Sequence, residues 1–164
     1  SEFSNERNTL GMHGSGAIEM LAREMTADMH AIRAQAIAAA QRTGQRVTRE
    51  RWTTDVYFGK ITAKPDGSVD TSQVEGVDPD LIIKPFHQKG VVNSVRVFTV
   101  NAFNHHHGMQ AVERFGMQRT GEADFDEDGV TDELSVGDIT AATICRRRAA
   151  KSRRSSAARP SSSR

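Results

Sequence analysis

Cysteine occurs once in the 164 residues, at Cys145. A single thiol cannot close an internal disulfide, furnish a zinc site built on paired cysteines, or complete a Cys-x-x-Cys-His haem-attachment sequence. Long apolar runs are missing too: no stretch approaches the roughly 18 residues that a membrane span needs. Aromatic residues are sparse, with one Trp and one Tyr, and the hydrophobic share is 37%, so the expected core is modest. No secretory pattern opens the chain. Ser1, Glu2 and Phe3 read as a cloning scar, so residues 1–4 are set apart from the body, 5–145.

Acidic residues are absent from one region. Residues 146–164 carry eight Lys and Arg and no acid, although the chain as a whole has a formal net charge of only +1. Residues 1–145 keep 14 basic against 21 acidic residues. The segment "RRRAAKSRRSSAARPSSSR" has no apolar residue larger than Ala or Pro and is expected to be disordered. Two readings of it compete. One is a basic arm that binds nucleic acid through phosphate charge. The other is an out-of-frame continuation, since GC-rich DNA read in the wrong frame yields Arg, Ala, Ser and Pro. No aromatic residue is interleaved to stack on bases, so nucleic acid is expected only as a non-specific partner of this tail.

The clearest helical pattern lies in residues 15–42. Ile18, Leu21, Ala22, Met25, Met29, Ile32, Ala36 and Ala39 recur at three- and four-residue spacings, with Ser15 as the expected N-cap and Gly44 as the stop. Glu19, Arg23, Asp28, Arg33 and Gln35 form its polar face. From Thr53 the period changes to about two in "TDVYFGKITA", followed by turn chemistry at Pro65-Asp66-Gly67. A hairpin is expected between residues 57–62 and 68–71. "VEGVDPDLIIKPF" is expected to run extended between its prolines. "GVVNSVRVFTVNAF" fits an interrupted helix that continues through the histidines toward Met109 and Val112. "GDITAATI" reads as a helix start capped by Asp138. The fold class is therefore α+β: a long N-terminal helix, a β-hairpin, an irregular Pro/Gly-rich connection and further short helices.

The sharpest chemical motif is "DFDEDGVTDELS" at residues 124–135. Asp124, Asp126 and Asp128 alternate, and Gly129 follows at the sixth position. Side-chain oxygens at positions 1, 3 and 5 converge on a hard cation, Gly permits the sharp turn, and the next ligand is a backbone carbonyl, here that of Val130. Asp132 and Glu133 can supply the remaining oxygens, which makes Ca²⁺ the expected ion. An EF-hand loop has Glu at position 12, whereas this chain has Ser135. The pattern D-x-D-x-D-G-x-x-D instead resembles the short calcium loops of bacterial cell-surface and thrombospondin-type repeats. A solvated acidic turn is the plainer alternative.

His105, His106 and His107 stand in a row before Met109. Imidazoles ligate Zn, Cu, Ni or haem iron, with His87 as a remote fourth candidate here. Neighbours on a helix point about 100° apart, however, so three cannot face one metal. A surface run is the simpler reading. The "HGSG" loop of His13, Gly14, Ser15 and Gly16 has the look of an esterase oxyanion loop, but no G-x-S-x-G nucleophile elbow accompanies it.

Three blocks, "RNTLGMHGSGAIEMLAREMT" at 7–26, "GVDPDLIIKPFHQKG" at 76–90 and "FNHHHGMQAVERFG" at 103–116, resemble the middle of bacterial di-haem oxidoreductases. This is the thiol-oxidoreductase-like family related in architecture to di-haem cytochrome c peroxidases. The acidic loop and "ELSVGDITAAT" continue the resemblance, which covers roughly residues 5–144. It implies a periplasmic protein with two c-type haems, a redox partner, and electron transfer or peroxide reduction. One of His105, His106 and His107 would then act as a distal acid–base group or axial ligand, and Met109 as an axial ligand of the other kind. The Cys-x-x-Cys-His attachment sequences that the family requires do not occur here. The chain thus resembles an internal portion between the two haem-bearing parts, itself without haem. The alternatives are a non-enzymatic calcium-binding module and a hydrolase built on the loop at residues 13–16.

Overall fold

The computed structural model describes residues 12–87 and 90–156, with 147–156 described in backbone only. The fold is α+β. Helix α1 (Ser15–Thr43) leads into strands β1 (Val47–Thr53), β2 (Val56–Ala63) and β3 (Val69–Asp70), which form one antiparallel sheet in that order. Helices α2 (Val95–His107), α3 (Val112–Phe115), α4 (Met117–Thr120) and α5 (Val136–Ser156) follow. Two compact units result, one of Ile18–Phe98 and the other of the remaining described residues.

In the first unit α1 packs on the sheet. Ala36 and Ala40 meet Ile61 and Ala63, with Ile32, Val47 and Val69 around them, and Met29 meets Phe58 and Leu81. Full burial of a side chain such as Ile61 contributes about 1.5–3 kcal/mol. The helix stops where Gly44 adopts φ +67° and its N–H returns to the Ala40 carbonyl at 2.9 Å, a left-handed glycine cap. Ser15, expected to cap the other end, is instead the first helical residue, and its buried hydroxyl has no hydrogen-bond partner among the described residues.

The apolar stripe of α1 needs two corrections. Ile18 and Leu21 are exposed, and Glu19, expected on the polar face, is buried. Glu19 Oε2 accepts the Val95 N–H at 3.3 Å, and Oε1 pairs with Arg23 at 3.4 Å. A carboxylate at the first turn of α2 satisfies an otherwise unpaired donor and complements the helix dipole. That use outweighs the hydration Glu19 would keep outside.

The expected hairpin exists, but only as the short pairing of Thr62 with Asp70 and Ala63 with Val69. The main hairpin joins β1 and β2 through Thr54 and Asp55, both at positive φ. Its outer face is a ladder: Thr48 and Thr62 hydroxyls bond at 2.8 Å, Glu50 pairs with Lys60 at 3.4 Å, and the Trp52 and Tyr57 rings lie 5.0 Å apart. Register shifts between Glu50 and Trp52, where β2 sets two residues, Phe58 and Gly59, against Arg51. Gly59 has φ +77°, and a Cβ there would lie 2.0 Å from the Gln73 carbonyl oxygen. The Lys60 N–H donates to that same oxygen. The bulge therefore lets the 73–75 segment press against β2.

Residues 76–86 run without helix or strand, as their prolines imply. Lys84 Nζ ties Asp78 and Asp80 at 2.7 and 2.8 Å, and the Ile83 N–H donates to Thr26 Oγ1. Phe86 and Val92 form a bridge and pack with Val95 and Phe98.

In the second unit Val100, Ala111, Leu134 and Ile139 form the core, with Phe103 and Met109 packed against them. The helical pattern through the histidines is interrupted, as expected: α2 ends at His107, Gly108 takes φ +71°, and helix resumes at α3. At α5 the cap is Ser135 rather than Asp138. The Asp138 N–H donates to Ser135 Oγ at 3.2 Å, while Asp138 Oδ2 accepts from the Ser135 N–H and hydroxyl. This is a reciprocal capping box with Asp in place of Glu. The backbone of α5 continues through 146–156, so that part of the segment expected to be disordered is helical. Arg, Ala and Lys are strong helix formers, and extending a nucleated helix is cheap. Residues 157–164 of that expectation, and 1–11 with the proposed scar, lie outside the described residues.

Gly59→Ala should lower stability by more than the roughly 1–2 kcal/mol of a left-handed alanine, because the methyl group also meets backbone. Gly44→Ala, whose added Cβ meets nothing within 4 Å, should show the conformational cost alone. Equal denaturation midpoints for the two variants would contradict this account of the bulge.

Candidate metal site

The acidic loop leaves α4 and returns to the core at Leu134. Its base is closed by a parallel bridge between Ala111 and Leu134, with Val112 N–H to the Leu134 carbonyl at 3.0 Å and Leu134 N–H to the Gln110 carbonyl at 3.3 Å. Glu133 adds a third tie, accepting the Gln110 N–H at 2.6 Å. On the far side the Phe125 ring lies 5.7 Å from that of Phe115 in α3.

Between these ties the chain curls on its own carboxylates. Asp124 Oδ1 accepts the Asp128 N–H at 3.2 Å and Oδ2 the Gly129 N–H at 2.9 Å, while Asp128 Oδ1 accepts the Val130 N–H at 2.8 Å. Gly129 takes φ +91°, the turn for which glycine was expected at the sixth position. Asp124, Asp126 and Asp128 thereby present ligand oxygens all within 4.8 Å of one another. The cluster could hold a metal ion.

Asp132 and Glu133 do not join that group among the described residues. Asp132 is exposed at φ +52°, and one Glu133 oxygen is engaged by Gln110. The Val130 carbonyl lies on the same curl, directly after Gly129.

Partial desolvation, then the neighbouring charges of Asp128 and Glu133, hold the Asp126 carboxyl above the usual aspartate range. Asp138, just beyond the loop, is held below it by its hydrogen bonds from Ser135. The two shifts have opposite consequences. Ionising Asp126 opposes the metal-free fold as pH rises through its raised value. Asp138 supports the fold above the ordinary carboxylate range and loses that contribution as pH falls through its depressed value.

The histidines are arranged differently. His105, His106 and His107 occupy the exposed last turn of α2, where cations suit the helix dipole. The His107 ring lies 6.1 Å from Phe103, and in the other unit the His87 ring lies 4.8 Å from Phe98. Among the described residues no cluster of three ligands includes an imidazole. Met109, the expected axial ligand, is half-buried against the apolar core. His13 and Gly14 form the turn into α1, and no imidazole bonds Ser15 Oγ. That arrangement offers no activated serine nucleophile.

A groove of about 250 Å³, lined by Ala22, Thr26, His30, Ile83, Asn93 and Ser94, was not foreseen. Its residues are dispersed over the chain, and no motif joins them. Compared with known protein families, curated proteins and solved structures, the chain gives no match to any.

In chelator at pH 7, Asp126→Asn should raise the thermal midpoint and Asp138→Asn should lower it. The two variants should converge in acid, where all the carboxyls are protonated. A change of the same sign in both would contradict the assigned electrostatics.

Proposed function

We propose that this chain is a calcium-binding module whose ion sits in the acidic loop. The observation that carries the reading is the convergence of Asp124, Asp126 and Asp128 oxygens within 4.8 Å. The carbonyl of Val130 and a carboxylate from Asp132 or Glu133 complete the ligand set, Glu133 through the oxygen that Gln110 leaves open. All-oxygen donors and a flexible loop suit Ca²⁺ better than Mg²⁺, which demands a smaller octahedral cage. The ion converts carboxylate repulsion into attraction and so steadies the path from α4 to α5.

The di-haem resemblance supports a second reading. In it the chain is a calcium-steadied portion of a periplasmic electron-transfer or peroxide-reducing protein. The residues present do not fit a covalently held haem: Cys145 stands alone, the histidines crowd an exposed helix end, and Met109 is half-buried against the core. No haem step is assigned to this chain. The purified chain is expected to show no Soret absorbance.

Calorimetric titration should show saturable Ca²⁺ binding, with weaker Mg²⁺ binding. At a hundredfold excess over Kd the native state should gain about 2.7 kcal/mol. Asp126→Ala should abolish most of that gain. No calcium heat, together with a thermal midpoint indifferent to chelator, would overturn the proposal.

A further inference from the structure

Arg51 stands apart from both the loop and the histidines. It lies on β1 opposite the Gly59 bulge, and its side chain is fully buried at 0% exposure. Among the described residues none of its three guanidinium nitrogens has a hydrogen-bond partner. A guanidinium keeps its proton at any physiological pH, so burial cannot be relieved by neutralisation as it is for a buried lysine. An enclosed charge without a counter-ion is among the costliest features a fold can carry.

Two acids near β1 have other partners. Glu50 pairs with Lys60 on the outer face of the hairpin, and Asp28 Oδ2 takes the hydroxyl of Thr53, two residues beyond Arg51. The nearby charge that does act on Arg51 is that of Arg33 on α1, which is positive as well. Burial first, then Arg33, press the Arg51 pKa downward. Arg33 itself is exposed. The arrangement is one enclosed planar donor with unfilled N–H groups and a second cation nearer the solvent.

We propose that Arg51, assisted by Arg33, binds a small oxyanion between β1 and α1. Two oxygens of such an anion match the guanidinium fork in a bidentate pair. The guanidinium has no accessible surface, so the proposed ligand is a small one, a single inorganic oxyanion or a short carboxylate, admitted as the Arg51 side chain shifts to meet it. Arg33 supplies the second charge that holds it.

The test uses the whole chain in chelator, so that the acidic loop takes no part. Inorganic phosphate and formate are each titrated against chloride at equal ionic strength. The readouts are the thermal midpoint and the ¹⁵N–¹H resonance of Arg51 Nε. A saturable rise in midpoint and a shifted Arg51 resonance with either anion are expected. Phosphate alone would identify an inorganic oxyanion, and formate alone a carboxylate. Arg51→Met should lose the response, and Arg33→Gln should weaken it. If Arg51→Met does not fold, the resonance of the unaltered chain decides. No shift with either anion, or a response in Arg51→Met equal to that of the unaltered chain, would overturn the proposal.

Discussion

Mutual repulsion among three aspartates governs the second unit. Asp124, Asp126 and Asp128 hold their oxygens within 4.8 Å of one another, and at such spacing like charges destabilise whatever backbone brings them together. The chain offsets part of this locally, turning the carboxylates of Asp124 and Asp128 onto backbone N–H groups of the same curl. Asp126, partly desolvated and beside the charge of Asp128, carries the raised pKa. In the proposed reading a divalent cation removes the remaining conflict. The Ala111–Leu134 bridge and the capping box of α5 both begin where the loop ends, so that reading links the ion to both.

The other unit is organised by a steric constraint. At Gly59 the strand must accept an extra residue and the close approach of Gln73 together. The bulge places Arg51 opposite β2 without an ordinary partner, on the face that packs against α1. The same distortion that seats the 73–75 segment thus leaves a buried charge unanswered. One unit holds excess negative charge on an exposed curl, and the other holds positive charge inside.

The acidic loop was legible in the sequence because its geometry is local. Alternate aspartates and a glycine at the sixth position encode a curl within six residues. The long helix and its glycine stop were legible for the same reason. β1 was not, since "VTRERWT" puts Arg51 where an apolar residue would signal an inward face. Glu19 was assigned to solvent because its partner, the Val95 N–H, lies 76 residues away, beyond any periodicity. The helical backbone of 146–156 follows from continuation of α5, which composition alone does not register. The histidine run drew attention by its chemistry, yet its place at a helix end gives the three rings no common focus.

Amide hydrogen exchange at Asp128, Gly129 and Val130 tests the central claim most directly. These three N–H groups donate to the loop's own carboxylates, so they report whether the curl is held. At neutral pH, Ca²⁺ should slow their exchange strongly relative to chelator, and should leave amides in the middle of α1 little changed. Identical exchange at the three sites with and without Ca²⁺ would contradict the account.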